Sequence, residues 1–90
     1  MNTPAVSVVA PIYNEKENLV EFIDRCLAAC RKTGRSFEIV LVDDGSRDGS
    51  RDIIVHAANA HPELIAVMLN RNYGQHAAVF AGLEQSRGLP

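Results

Sequence analysis

Phe37-Glu38-Ile39-Val40-Leu41-Val42-Asp43-Asp44-Gly45-Ser46-Arg47 is the stretch on which the fold of this chain turns. Apart from Glu38, its first six residues form an apolar run of strand length. The run stops at two adjacent carboxylates and a glycine turn. Such a strand end is rarely a packing solution. In an open α/β sheet, ligands bind outside the carboxyl ends of the strands, and Asp43 and Asp44 fall at such an end. Upstream, Ala5–Ala10 is a near-continuous β-branched run, as expected for a strand covered on both faces. It closes in its own polar cluster, Pro11-Ile12-Tyr13-Asn14-Glu15. Two strand ends of matching chemistry predict one site between them.

Outward from these runs, the elements alternate. Pro11 is expected to end the first strand, because proline cannot continue a central ladder. Asn14 is placed to cap a helix from about Glu15 to Lys32, with Glu15 and Glu17 at its positive end and Arg31 and Lys32 at the other. Leu19, Phe22, Ile23, Cys26, Leu27 and Cys30 follow the helical period, and Gly34 suits the position just past the helix. After the second strand, Phe37–Val42, Asp48 or Ser50 caps a helix to about Ala60, with Ile53, Ile54, Ala57 and Ala58 as its buried stripe. Leu64–Leu69 is the third strand. A polar loop, Asn70 to Gln75, leads to a third helix from about Gln75 to Ser86, whose Ala77, Ala78, Ala81 and Gly82 offer a smooth face to the sheet. The order is β-α-β-α-β-α. Each crossover is long enough for a helix, so the expected fold is α/β, a mostly parallel sheet in three layers with right-handed connections. Three strands make a meagre sheet, and the expectation is an incomplete fold, the front of a larger domain.

The 90 residues are 47% hydrophobic and 22% charged with net charge -2, an ordinary soluble composition with no electrostatic reason to expect nucleic acid or acidic lipid as a partner. Cys26 and Cys30 are read as buried thiols of a reduced compartment, since a zinc site needs more ligands than one i,i+4 pair. The start lacks a basic, then apolar, secretory signal, and no apolar run approaches the roughly 20 residues of a membrane span. A cytoplasmic location is expected for this segment.

Successive strand side chains point to opposite faces, so one of Asp43 and Asp44 is expected to bind the loop backbone and the other to reach a ligand. A carboxylate accepts hydrogen bonds from a nucleobase N–H or a ribose hydroxyl. Tyr13 offers a flat ring to a base, and Glu15 either serves the helix dipole or meets a ribose. Asn72, Gly74 and Gln75 lead into a helix start whose free N–H groups favour an anionic group. Arg71, His56, His61 and His76 are read as surface residues. Neither GxGxxG after the first strand nor GxxxxGK[ST] occurs, which argues against a dinucleotide fold and a P-loop.

Val6-Ser7-Val8-Val9-Ala10-Pro11-Ile12-Tyr13-Asn14-Glu15 with Ile39 to Ser46 resembles the second family of inverting nucleotide-sugar glycosyltransferases, which have the GT-A fold. Leu69-Asn70-Arg71-Asn72-Tyr73-Gly74-Gln75-His76-Ala77-Ala78 is similar to the polyprenyl-phosphate branch of that family. The resemblance covers nearly the whole chain and implies that residues 1–90 are the N-terminal, nucleotide-binding part of a catalytic domain. It implies a nucleotide pocket of Pro11, Tyr13, Glu15, Asp43, Asp44, Asn72, Gly74 and Gln75, with Asp44 favoured over Asp43 for the base. A sugar carried on UDP or GDP would pass to a polyprenyl phosphate with inversion, at the cytoplasmic face of the inner membrane. The family's Mg²⁺ or Mn²⁺ is held by a D-x-D motif absent here, so no catalytic base or metal ligand is assigned and the chain alone is expected to be inactive. The missing strand would leave the Ala5–Ala10 edge open, and self-association is expected there. The competing reading is a flavodoxin-like phosphoacceptor module with an acidic pocket.

Overall fold

The computed structural model describes residues 3–85; of Gln75 and Phe80 it describes the backbone and not the side chain. The elements are β1 (Val6–Ile12), α1 (Lys16–Lys32), β2 (Phe37–Asp43), α2 (Ser50–Ala60), β3 (Leu64–Met68) and α3 (Gln75–Gln85). The strands form one parallel sheet in the order β1-β2-β3, in register Val8↔Ile39 and Ile39↔Leu64. This order places β2 at the centre. A flavodoxin-like sheet has its first strand between the second and third, so the topology overturns the phosphoacceptor reading.

Alternation along the strands builds two cores. Ala10, Ile12, Ile39, Leu41 and Leu64 meet Leu19, Ile23, Leu27 and Cys30 of α1 and Ile54 of α2. On the opposite face Val40 and Val42 meet Ala78, with Val9, Ile65, Val67 and Ala81 around them. The layers are therefore α1 with α2, the sheet, and α3, as expected. Gly82 permits the close approach of α3: a Cβ there would lie 2.4 Å from Val9 Cγ1 and 2.8 Å from Val42 Cγ2. Ala77, expected on that smooth face, is exposed instead. Phe22 likewise departs from the α1 stripe and is 38% exposed. The expected end of α3 at Ser86 lies outside the described residues.

Pro11 does not end β1; it is paired in register with Val42. The reason is the side its nitrogen faces. Val6 N donates to Ser36 O and Ile12 O accepts from Asp44 N, so the even-numbered residues of β1 address β2. Pro11 is odd, and its missing N–H falls on the side away from β2, where a strand tolerates proline. Among the described residues, β1 pairs only with β2.

Asn14 is not the cap of α1. Glu15 occupies that position with no side-chain cap of its own, and Asn14 adopts φ 50°. Partners from the β2–α2 loop and the first residue of α2 replace the local cap: Lys16 N donates to Asp48 Oδ2 at 3.1 Å and Glu15 N to Ser50 Oγ at 3.1 Å. Neither Asp48 nor Ser50 caps α2: Gly49 holds that position in a left-handed conformation with no side-chain cap bond, Ser50 is the first helical residue, and Asp48, one residue ahead of the cap, accepts from Ser50 N through Oδ1 at 3.0 Å. Gly34 follows α1 at φ 68°, its N–H donating to Arg31 O. Cys26 and Cys30 are free thiols, and burial, helped by Cys30, pushes the Cys26 thiol up.

Candidate functional site

The two carboxylates at the end of β2 part company. Asp43 continues the α1/α2 face of the strand and is fully buried. Its Oδ2 accepts from Ser46 N at 3.0 Å and pairs with Arg51 Nε at 3.3 Å, so it ties the turn and the start of α2 to the strand. Its Oδ1 has no hydrogen-bond partner among the described residues. Asp44 turns to the α3 face. Its Oδ1 accepts from Tyr73 N at 2.8 Å; its Oδ2 accepts from Gly74 N at 3.1 Å and Asn72 Nδ2 at 3.2 Å. Since Ala78 N donates to Gly74 O, these amides belong to the start of α3. The anion expected at that helix start is therefore Asp44 itself.

Gly45 makes this clamp possible. It sits at φ 79°, and a Cβ would lie 2.4 Å from Arg71 C and 2.5 Å from Asn72 N. Only a residue without a side chain lets the β3–α3 loop cross the end of β2 this closely. The loop is stiffened locally: Tyr73 Oη donates to Asn70 Oδ1 at 2.8 Å, and the Arg71 guanidinium lies over the Tyr73 ring at 5.0 Å. Arg71 was expected to be simply solvated; its stacking on Tyr73 has no local sequence signature.

Between the β1–α1 loop and this clamp lies an open cleft of about 510 Å³, lined by Pro11, Ile12, Tyr13, Glu15, Asp44, Asn72 and Gly74. Six of the eight residues expected to form the site therefore share one cavity. Asp43 is not brought to it. Gln75 opens α3, and its side chain lies outside the description. Ile12, which the sequence reading left out, adds apolar floor. The cleft sits where the chain changes faces, with α2 behind β2 and β3 and α3 in front of β1 and β2, the position at which open α/β sheets bind ligands. A smaller hollow of about 250 Å³ adjoins it along α1, over Pro11, Ile12, Glu15, Asn18, Leu19 and Phe22.

The polar inventory sets what the cleft can accept. A carboxylate offers about four acceptor positions. Asp44 uses three on Asn72, Tyr73 and Gly74, which leaves one on Oδ1. Tyr13 is 47% exposed, with a ring free to lie against a planar group. Glu15 is exposed at the rim and adds a second carboxylate. This pairing of a planar surface with acceptors suits a ligand bearing N–H or O–H donors. Among the described residues no group of three or more His, Cys, Asp or Glu is placed to hold a metal ion. None of their helices is long and apolar enough to cross a membrane.

The sequence profile of Glycosyl transferase family 2 matches residues 7–89. The undecaprenyl-phosphate 4-deoxy-4-formamido-L-arabinose transferase of Pseudomonas paraeruginosa is 61% identical over 84 residues, 92% of this chain and 25% of the relative. The enzyme of the same name from Pectobacterium atrosepticum is 58% identical over 85 residues, 92% of this chain and 26% of the relative. Among solved structures, the mannosyltransferase PcManGT from Pyrobaculum calidifontis, in complex with GDP-Man and Mn²⁺, superposes with a TM-score of 0.76 at 28% identity, over 96% of this chain and 25% of that one. The chain thus spans about a quarter of the length of the curated relatives it matches.

Proposed function

The chain belongs to glycosyl transferase family 2, and from that premise we propose that it is the donor-nucleotide-binding part of a sugar transferase. The observation that carries this reading is the cleft itself, where Tyr13, Glu15 and Asp44 converge from two separate loops. In this assignment the nucleobase lies against the Tyr13 ring. Its imide or amide N–H donates to the remaining acceptor position of Asp44, and Glu15 meets the ribose hydroxyls. Pro11, Asn72 and Gly74 complete the wall, and Gln75 stands at its end. Asp43 acts through the turn and not on the ligand.

For the whole enzyme, the names of the relatives support transfer to an undecaprenyl-type polyprenyl phosphate, and the bound nucleotide sugar of the structural neighbour supports a nucleoside diphosphate donor. The reaction at such a donor is displacement at the anomeric carbon with inversion, as the resemblance implies, on the cytoplasmic side of the membrane that holds the lipid. The neighbour's Mn²⁺ points to a divalent ion on the diphosphate. A bound ion of that kind neutralises the leaving group. The described residues do not fit such an ion: no cluster of metal-ligating side chains is present, and Asp44 is occupied by N–H groups. The predicted property of the chain is binding without turnover.

The test is equilibrium binding of UDP and of GDP to the chain, alongside the Tyr13→Ala variant. Saturable binding weakened about ten-fold by loss of the ring is expected, in line with the value of base–aromatic stacking. Absence of saturable binding for both nucleotides would sink the assignment.

A further inference from the structure

Ser46, Asp48 and Ser50 do not line the cleft, yet they hold the loop that does. Three successive amides of the β1–α1 loop each find a partner among them: Asn14 N donates to Ser46 Oγ at 2.9 Å, Glu15 N to Ser50 Oγ at 3.1 Å and Lys16 N to Asp48 Oδ2 at 3.1 Å. One bond returns, from Arg47 N to Asn14 Oδ1 at 2.9 Å. Ser50 is fully buried, and its hydroxyl donates to Asp48 Oδ1 at 2.6 Å, which fixes its lone pairs toward Glu15 N. The residue at the centre of the arrangement, Asn14, has φ 50°. L-residues seldom adopt that backbone, and asparagine is among the few that tolerate it. The kink lies between Tyr13 and Glu15, so its geometry decides where the ring and the carboxylate stand.

We propose that Ser46, Asp48 and Ser50 are positioning residues of the nucleotide cleft: they hold the Asn14 kink and thereby set Tyr13 and Glu15 on the same cavity as Asp44. This rests on the nucleotide reading above. Their role exceeds the capping of α1, because a cap needs only the amides of the first turn, whereas Ser46 binds the amide of Asn14, ahead of the helix. It also accounts for the two-residue spacing of Ser46, Asp48 and Ser50, which meet the neighbouring amides of Asn14, Lys16 and Glu15.

The experiment compares the full chain with Ser46→Ala, Ser50→Ala, Asp48→Asn and Ser46→Thr, reading UDP and GDP dissociation constants of the folded fraction and the ¹H–¹⁵N spectrum without nucleotide. Loss of the bond to the β1–α1 amide predicts an affinity about three- to ten-fold weaker in the first three variants, Ser50→Ala losing its donation to Asp48 Oδ1 as well. The Tyr13 and Glu15 resonances move while Gly74 stays in place, and Ser46→Thr, which keeps the hydroxyl, retains parental affinity. Folded variants that bind as the parent does, with Tyr13 and Glu15 resonances unmoved, overturn the proposal. If an alanine variant fails to fold, Asn14→Gly decides: glycine takes the positive φ without strain but loses the bond from Arg47, and the same weakening is expected. A parent that binds neither nucleotide sinks the nucleotide reading. The positioning claim is then settled by the apo spectra, where motion of Tyr13 and Glu15 sustains it and its absence ends it.

Discussion

Asp43 is the last residue of β2 and Asp44 the first beyond it, and they serve opposite sides of the molecule. Asp43 faces α1 and α2 and is spent on architecture: a turn amide and the Arg51 guanidinium. Asp44 faces α3 and is spent on a loop that walls a cavity, with capacity to spare for a ligand. The same side chain, one residue apart, closes the fold in one direction and opens a site in the other. The pleat makes this division; what differs is which loop arrives on each face.

The sharpest way to break the contrast is at the glycine between the two loops. Gly45→Ala combines a strained φ with backbone overlap against Arg71 and Asn72, and a loss of about 2–5 kcal/mol is expected. For a domain of this size that is a large share of the total stability of roughly 5–13 kcal/mol. Chemical denaturation reads the loss, and the Asn72 and Gly74 resonances report the displaced loop. Next, Asp44→Asn turns an amide N–H₂ toward either Tyr73 N or Gly74 N, a donor facing a donor whichever way the amide is flipped. A cost of about 1–3 kcal/mol is expected, together with loss of measurable nucleotide binding. Arg51→Ala tests the other face. It removes one partner from a fully buried carboxylate that keeps Ser46 N, so stability falls by about 1–3 kcal/mol while the affinity of the folded fraction stays at the parental value. If Arg51→Ala weakened binding as much as Asp44→Asn, the division of labour would be wrong.

The smallest effect is one of pH. The Ser50 hydroxyl, with amides of the loops, holds the Asp48 carboxyl below its ordinary value of 3.8. A folded value below the unfolded one means that the contribution is present above about pH 3.8 and is lost as pH falls through the folded value. The stability gap between the chain and its Asp48→Asn variant is therefore expected at pH 7 and closes under strongly acidic conditions; a gap that widened on acidification would contradict the assignment.

Much of the layer structure was legible because its signals are local. The apolar run at residues 37–42 reads as a buried central strand, and alternation alone separates Asp43 from Asp44. Which of the two would face the ligand was not readable from the strand, since it depends on Asn72, Tyr73 and Gly74, nearly thirty residues on. The resemblance supplied the preference for Asp44, which lines the cleft where Asp43 does not. Pro11 misled because its effect depends on whether its nitrogen faces the paired strand, a property of the register and not of the run. Asn14 misled for a related reason. Its spacing before α1 suits a cap, but hydroxyls and a carboxylate from the next loop satisfy the amides, and they release the Asn14 side chain for Arg47. The cleft residues themselves, Ile12 excepted, were named from the sequence; the bonds across loops that hold them needed the fold.

The central claim is that the α3 side of the β2 end binds a nucleotide and the α1/α2 side does not. A ¹H–¹⁵N titration of the chain with UDP and with GDP, each with and without Mn²⁺, tests it most directly. The prediction is saturable shifts at Tyr13, Glu15, Asp44, Asn72 and Gly74 while Arg51 and the rest of α2 stay still. A folded spectrum that does not move, or one that moves chiefly around Asp43 and Arg51, would contradict it.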